Sequence, residues 1–273
     1  MRQERDWRRA LIWSVSCLLV IVIATVTCLS DVLMPEGGNK KKSAGGLTVD
    51  YTHMDAGYVL VKASKGKKRL KVRVVKDGTT MTYDLNNKGD FEVFPLQMGS
   101  GKYTFKLYKN VSGKKYSEEG KLSINAKMED ELSAFLYPNQ YVNYDTQTAA
   151  VLKATEICAG MTSQTDIYKA VCDYMKKNFN YDYIKSVSVK PGQLPDIDEA
   201  WKKGMGICQD LSAIMVCMLR SQGVPARLMI GTLNASVYHS WVTAVVNGKE
   251  KFFDPTAELN AVSNGSYTVE RYY

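Results

Sequence analysis

The sequence predicts a helix that starts at a cysteine, and residues that favour helix ends flank it on both sides. Cys208 follows Gly204-Met205-Gly206, and apolar residues then recur with a period of 3.6 until Gly223 and Pro225 end the pattern. The backbone N–H groups of a first helical turn are unpaired, and the helix dipole there favours an anion. We therefore expect the pKa of the Cys208 thiol to lie below the free value of about 8.5.

A histidine and an aspartate follow on a predicted hairpin. His239 lies in a segment of aromatic and β-branched residues, Asn247-Gly248 is a strong signal for a two-residue turn, and the returning segment leads to Asp254. His239 and Asp254 then lie near each other, though not in register. A lone strand histidine is usually structural, and an aspartate before proline usually makes a turn. The order Cys, His, Asp nevertheless makes a thiol active site the leading hypothesis.

The remaining cysteines give no metal-binding pattern. The chain has six cysteines but no CxxC motif and no Cys/His cluster, so we expect no metal site. Cys217 falls on the opposite side of the helix from Cys208, which predicts a buried, inert thiol. Cys158 and Cys172 are either disulfide partners, if this half lies outside the cytoplasm, or two small buried side chains on adjacent helices.

An apolar run near the N-terminus predicts a membrane anchor. Ala10–Leu29 carries no charge and as a helix spans roughly 30 Å, the thickness of a bilayer core. Four arginines precede it, which places the N-terminus in the cytoplasm and the following domains outside the cell membrane. A cleaved signal peptide is the alternative, although its apolar region is usually only about 7–15 residues long. Residues 1–30 are thus assigned to tail and anchor.

Beyond the anchor the sequence predicts a linker and two domains, in an α+β fold overall. Residues 31–46 are rich in glycine and lysine and read as a solvated linker. Residues 47–127 show six or seven short alternating segments separated by turn signals, which predicts a small Ig-like β-sandwich. Residues 128–273 have helical spacing at 148–158 and 163–179, an extended segment at 180–183, a loop at 184–195 and a short helix at 197–203.

The charge of the chain is uneven. The net charge is +8, and the predicted sandwich carries most of the excess lysine and arginine. The simplest interpretation is that the sandwich is a spacer whose charged strands resist edge pairing. Binding of an anionic cell-wall polymer is the functional alternative. The scarcity of patterned surface aromatics argues against nucleic acid.

Three motifs resemble one family. Trp201–Asp210, His239–Val242 and Asp254–Thr256 look like the motifs of the transglutaminase-like superfamily, which consists of papain-related thiol enzymes, and Gly223–Arg227 matches the family's passage from helix to strand. The resemblance covers about residues 145–260. It implies a nucleophile helix packed on an antiparallel sheet that carries the base and its orienting acid. Bacterial members often join this module to a membrane anchor and a β-sandwich.

The resemblance also implies roles for the site residues. Cys208 would attack an amide of a protein or peptide to give a thioester, His239 would protonate the leaving amine, and Asp254 would orient the imidazole. The Cys208 N–H and Tyr181 are candidate oxyanion donors, because the family brings an aromatic residue toward the site. Asp210 is expected to be a helix N-terminal charge, with no catalytic role. Trp201 and Trp241 are expected to form groove walls or core.

The step after acylation decides the class of enzyme. Water gives a peptidase or amidase, which we favour because prokaryotic relatives include many hydrolases. A lysine amine would give a crosslinking transglutaminase, and a non-catalytic cell-envelope binding module is a third alternative. No compact acidic loop suggests calcium, and we expect no cofactor.

Overall fold

The computed structural model describes residues 32–260 and 265–273, and all of its elements belong to one compact unit, Leu33–Tyr273. The predicted anchor, Ala10–Leu29, lies outside the described residues. Within the described ranges, no helix is both long enough and apolar enough to cross a bilayer.

The first part of the chain forms two four-stranded antiparallel sheets. Their strand orders are β1-β2-β3-β6 and β5-β4-β7-β8. In β4 and β7 the apolar side chains alternate with lysine and arginine, so each strand buries one face. The buried rings of Tyr83 and Phe94, one from each sheet, meet with centroids 4.8 Å apart. The strands are β1 (Lys41–Ala44), β2 (Leu47–Asp50), β3 (Tyr58–Ala63), β4 (Leu70–Lys76), β5 (Thr79–Asp84), β6 (Glu92–Pro95), β7 (Gly101–Ser112) and β8 (Lys115–Ala126).

Part of the predicted linker is a strand. Lys41–Ala44 pairs with Leu47–Asp50 through Gly45 and Gly46, whose positive φ angles of 54° and 80° suit glycine. The β1 side chains are mainly exposed, and Lys42 Nζ donates to the Ser123 carbonyl at 3.2 Å. The expectation of a solvated linker over these residues was wrong, because a lysine-rich edge strand shows the same polar, glycine-rich composition as a linker.

The second part places one helix on a four-stranded antiparallel sheet of order β13-β12-β11-β14. The helix α5 is almost wholly buried between this sheet and the other helices, as its continuous apolar face requires. The elements are α1 (Ala149–Ile157), α2 (Gln164–Asn178), β9 (Asn180–Tyr181), α3 (Tyr183–Ser188), α4 (Ile197–Lys203), β10 (Met205–Gly206), α5 (Cys208–Ser221), β11 (Ala226–Leu233), β12 (Val237–Val246), β13 (Lys249–Phe253), α6 (Pro255–Leu259) and β14 (Tyr267–Tyr272).

A short helix occupies part of the predicted loop over 184–195. In α3, Asp182 caps the N-terminus by accepting a hydrogen bond from Lys185 N at 2.8 Å. Its apolar residues Ile184 and Val187 are exposed. The prediction failed because a helix of under two turns with no buried face shows no amphipathic period. The predicted extended segment 180–183 is a strand only at Asn180–Tyr181.

The predicted hairpin turn is confirmed. Val246 pairs with Lys249, and Asn247 and Gly248 between them have φ angles of 49° and 73°, as a two-residue turn of this kind requires. The hairpin brings the end of β13 back beside the middle of β12.

Strand β14 fastens the two parts of the chain together. The Tyr272 hydroxyl donates to the Gln97 carbonyl at 3.2 Å, and the Gln97 side-chain amide donates back to the Tyr272 carbonyl. The Tyr273 ring packs against Tyr83 with centroids 5.8 Å apart. The two-sheet region thereby supports the edge strand of the sheet that carries His239.

Candidate active site

Cys208 is the first residue of α5, as predicted. Its thiol is half-buried. Gly206, two residues earlier, lies so close to Asp210 that a Cβ atom there would stand 2.8 Å from the Asp210 Cβ atom. Glycine is therefore needed for the chain to enter the helix above this carboxylate.

Asp210 does more than place a negative charge near the helix N-terminus. Its carboxylate is fully buried and accepts hydrogen bonds from Ile207 N at 3.0 Å and Asp196 N at 3.3 Å. It also pairs with Lys185 Nζ at 2.8 Å. One carboxylate thus joins the start of the cysteine helix to α4 and α3. The sequence expectation of a simple terminal charge understated this role.

His239 lies on β12 and points its ring between Cys208 and Asp254. The His239 Nε2 atom lies 2.7 Å from Asp254 Oδ2, and both side chains are buried. With Nε2 engaged by the carboxylate, Nδ1 is the nitrogen left to face the thiol, which lines the same cleft. The structure therefore brings Cys208, His239 and Asp254 together, with a hydrogen bond between the last two.

Asp254 holds a helix and the imidazole at once. Its Oδ1 atom accepts from Thr256 N at 2.9 Å and Ala257 N at 3.1 Å, which caps α6. Its Oδ2 atom accepts from His239 and from the Tyr267 hydroxyl at 2.7 Å. Because both oxygens are engaged, the carboxylate is fixed in position and the imidazole is oriented.

The hydrogen bonds set the charges of the three groups. Burial raises the pKa of the Cys208 thiol, but hydrogen bonds with His239 and Ser240 and the charge of His239 lower it below its ordinary value. Burial lowers the pKa of His239, but Asp254 and then Cys208 raise it to about 9. Burial likewise opposes ionisation of Asp254, and His239 and Tyr267 hold its pKa low. These directions favour a thiolate–imidazolium pair over two neutral groups.

Tyr267 is the site residue that sequence reasoning missed. It lies at the start of β14, and its register with β11 shifts between Ile230 and Gly231. A Cβ atom on Gly231 would stand 1.9 Å from the Thr268 carbonyl oxygen, so only glycine allows β14 to approach here. No sequence motif predicts that β14 pairs with β11, because the two strands are not consecutive in the chain. The one available signal was Gly231, since a glycine inside a strand often marks a bulge.

The sulfur opens into a cleft with a volume of about 470 Å³. Its aromatic walls are Tyr141, Tyr181 and Tyr238. Tyr181 pairs in register with Gly206, and its pKa is raised by burial and by the charge of Cys208. Trp201 and Trp241 do not line this cleft. Trp241 is buried core, and Trp201 stacks on Tyr174 with centroids 5.8 Å apart.

The other described cysteines differ sharply from Cys208. Cys217 is fully buried, and burial raises the pKa of its thiol, which agrees with the inert role predicted for it. Cys158 and Cys172 are buried free thiols, and burial raises the pKa of each to about 11. The sequence left two alternatives for this pair, a disulfide or two small buried side chains. The structure has the second. Over 32–260 and 265–273, no group of three or more His, Cys, Asp and Glu residues could hold a metal ion.

Comparison with known families identifies the second part of the chain. Residues 153–253 match the transglutaminase-like superfamily. This segment includes Cys208 and His239 and ends one residue before Asp254. The match covers less than half of the chain and supports a transglutaminase-like domain in this segment, in agreement with the resemblance drawn from the motifs.

Several solved structures are similar to this chain at low identity. The "putative cysteine protease" from Cytophaga hutchinsonii is 15% identical over 79% of this chain and 91% of that one, with a TM-score of 0.40. The periplasmic domain of TgpA from Pseudomonas aeruginosa is 12% identical over 83% and 98%, with a TM-score of 0.37. A structure named as a TGase is 17% identical over 39% and 30%, with a TM-score of 0.34. No curated protein sequence matches.

Tyr267→Phe tests the support of Asp254. Removing one donor to a buried carboxylate should lower the free energy of unfolding by about 1–2 kcal/mol. It should also slow alkylation of Cys208 by iodoacetamide at neutral pH, because the imidazole is held less firmly. Tyr108→Phe is the matched control, since the Tyr108 hydroxyl donates to the exposed Glu118 carboxylate at 2.9 Å. Equal alkylation rates in the two variants would contradict the role given to Tyr267.

Asp210→Asn tests the second buried carboxylate. The change leaves Lys185 without its counter-charge, so we expect a loss of about 3 kcal/mol in the free energy of unfolding by urea denaturation. Asp173→Asn removes the exposed pair with Lys169 and should cost under about 1 kcal/mol. Similar losses in both variants would show that the Lys185–Asp210 pair has no special role in fastening α3.

Proposed function

We propose that this protein is a thiol enzyme that acts on amide bonds of proteins or peptides. The observation that carries the proposal is the hydrogen bond between His239 and Asp254, with His239 and Cys208 both in the wall of one open cleft. The transglutaminase-like domain supports the same chemistry at a coarser level. Cys208 is the nucleophile, His239 the acid and base, and Asp254 the group that orients the imidazole.

Acylation needs no external base, because the thiolate is already formed. The Cys208 sulfur attacks the amide carbon, a C–S bond forms, and the carbonyl π electrons move onto oxygen. The His239 imidazolium then gives its proton to the amide nitrogen as the C–N bond breaks. The products are a thioester on Cys208, a neutral imidazole and a free amine.

Deacylation by water reverses the proton movement. The neutral His239 takes a proton from water as the water oxygen attacks the thioester carbon. The C–S bond then breaks, the sulfur leaves as thiolate, and the imidazolium is restored. The product is a carboxylic acid, so atoms and charges balance over the cycle.

Two donors are proposed for the tetrahedral intermediate. The Cys208 N–H belongs to the first turn of α5, where N–H groups have no intrahelical acceptor. Tyr181 lines the cleft with Cys208, and its raised pKa keeps the phenol protonated and able to donate. Both groups favour a developing oxyanion.

The charges of the cleft favour water over lysine as the acyl acceptor. The cleft is lined by Lys190 and Arg271 and by no aspartate or glutamate. A lysine side chain is an ammonium ion at neutral pH, with a pKa of about 10.4, and these cations repel it. Hydrolysis is therefore proposed, with protein crosslinking as the competing outcome.

The location of the enzyme is proposed from the sequence, and its second partner from the charge of the two-sheet region. Ala10–Leu29 supports an anchor in the cell membrane with the described domains outside the cytoplasm. For the two-sheet region we propose contact with an anionic cell-wall polymer. A hollow of about 360 Å³ there is lined by four lysines, Lys65, Lys67, Lys68 and Lys109.

Cys208→Ala tests the proposal directly. The full chain is incubated in ¹⁸O water with a mixture of synthetic peptides and a primary alkylamine, and products are identified by mass spectrometry. We expect new carboxyl groups that carry ¹⁸O, and a loss of more than about a thousandfold in Cys208→Ala. Cys217→Ala, which removes the buried thiol on the same helix, is the control and should retain turnover.

The products also decide between the alternatives. Amine incorporation that replaces ¹⁸O incorporation would contradict hydrolysis and favour crosslinking. Turnover that survives in Cys208→Ala, or its absence from the unaltered chain on every peptide, would contradict the enzyme itself and leave a binding module.

A further inference from the structure

The active-site cleft is cationic on two sides. Apart from His239, its lining contains two ionisable side chains of fixed charge at neutral pH, Lys190 and Arg271, and both are positive. They come from different elements. Lys190 follows α3 on the rim, and Arg271 lies on β14 at the edge of the sheet. A group bound between them faces positive charge from both walls.

Arg271 has unused hydrogen-bonding capacity. Its guanidinium donates to the Tyr238 hydroxyl, but its Nε atom is buried and has no partner among the described residues. Arg220 differs, because its guanidinium donates to three carbonyl oxygens. Arg227 has a carboxylate partner, Glu250, at 3.0 Å, although its Nε atom also has no partner among the described residues. A planar donor fork that lacks a carboxylate partner is suited to binding one from a ligand.

The position of Arg271 relative to the sulfur follows from the sheet register. Ile230 pairs with Ser240 on one side and with Arg271 on the other. Ser240 lines the cleft together with Cys208. With strands about 4.8 Å apart, the Cα atoms of Ser240 and Arg271 are about 10 Å apart. Tyr238 lines the same cleft, and its hydroxyl accepts a hydrogen bond from the Arg271 guanidinium.

Lys190 is also free to meet a ligand. Its side chain is exposed and forms no ion pair within the described part of the chain, whereas nearby Lys185 is engaged by Asp210. The rim segment that carries it, 189–193, lines the cleft throughout. A flexible ammonium on the rim supplies a charge that adapts to the position of an anion.

We infer that the acyl-donor substrate is an acidic peptide, with a carboxylate within about two residues of the scissile amide, bound by Arg271 and Lys190. Two extended residues span about 7 Å, which is within the separation of about 10 Å that the sheet register gives between Ser240 and Arg271. Arg271 takes the carboxylate through its free N–H groups, and Lys190 neutralises it from the rim. This inference rests on the proposed function, since it names the substrate class of the same site.

Two sources supply such a carboxylate. One is the side chain of an aspartate or glutamate inside a peptide, and the other is a free C-terminal carboxylate close to the bond. The chemistry recognised is the same in both cases, so matched peptides separate them.

The first test measures the charge of the cleft without any substrate. In the full chain, Cys208 is alkylated with anionic iodoacetate and with neutral iodoacetamide, and the ratio of the two rates is determined. A double variant, Lys190→Gln with Arg271→Gln, should lower this ratio about tenfold or more, because the anion loses its local enrichment. Using the ratio removes any change in the reactivity of the thiol itself.

Two further variants keep this test decisive. Arg271→Lys retains the charge and should retain most of the ratio. Lys121→Gln removes an exposed cation on β8 that does not line the cleft, and it should leave the ratio unchanged. A ratio in the double variant equal to that of the unaltered chain would overturn the inference. If both reagents reacted with Cys208 as with an ordinary thiol, the proposed function would fail, yet the ratio would still report on the cleft.

The second test uses peptides that differ only in one charge. Pairs with glutamate or glutamine beside the amide, each with a free or an amidated C-terminus, are given to the enzyme. We expect kcat/KM to favour the carboxylate member of one series by about tenfold, and this preference to vanish in the double variant. Preference in the glutamate series assigns a side-chain carboxylate, and preference in the free-terminus series assigns a terminal one. Equal use of charged and neutral peptides would overturn the inference.

Discussion

The hydrogen bond between His239 and Asp254 is the interaction on which the rest of the site depends. It fixes the imidazole so that Nδ1 meets the thiol, and it raises the pKa of His239 to about 9. Asp254 can serve in this way only because it is itself held by two backbone N–H groups of α6 and by Tyr267. Without those donors, burial would push the carboxylate toward its neutral form and the imidazole would lose its partner. The charge of Cys208 therefore depends, through His239, on groups that Cys208 does not contact.

Two buried carboxylates organise the site, and each lies at the start of a helix. Asp254 joins α6, β12 and β14, while Asp210 joins α5 to α4 and α3. Both are satisfied by several donors, which is what makes a buried charge tolerable. The arrangement gives Cys208 and His239 separate supports. It also connects the cleft rim to α5, and it connects the edge strand to the two-sheet region through Tyr272 and Gln97.

The sequence predicted what local patterns encode. The cysteine helix, the Asn247-Gly248 hairpin and the buried thiol of Cys217 followed from periodicity and turn chemistry, because neighbours along the chain determine them. Tyr267, the shift in register at Gly231 and the Lys185–Asp210 pair did not, because each depends on contacts between residues distant in the sequence. The strand at Lys41–Ala44 and the helix α3 were missed for a different reason. Both bury too little apolar surface to leave a periodic signal. Trp201 and Trp241 were expected to form groove walls or core. Trp241 lies in the core, and the aromatic walls of the cleft include Tyr141 and Tyr238, which no pattern in the sequence marked.

The central claim is that Cys208 and His239 form an ionised pair in the resting protein. ¹⁵N NMR of the histidine rings tests this claim most directly. The chain has only two histidines, so His53→Gln assigns the signals of His239. The ionised pair is expected at pH values above the lowered pKa of the Cys208 thiol and below the raised pKa of His239. Both ring nitrogens should therefore show the imidazolium shift at neutral pH and lose it only near pH 9. In Cys208→Ala the pKa of His239 should fall, because the thiolate is one cause of its elevation. A neutral ring at pH 7 that titrates near the ordinary value of about 6.5, unchanged in Cys208→Ala, would contradict the account.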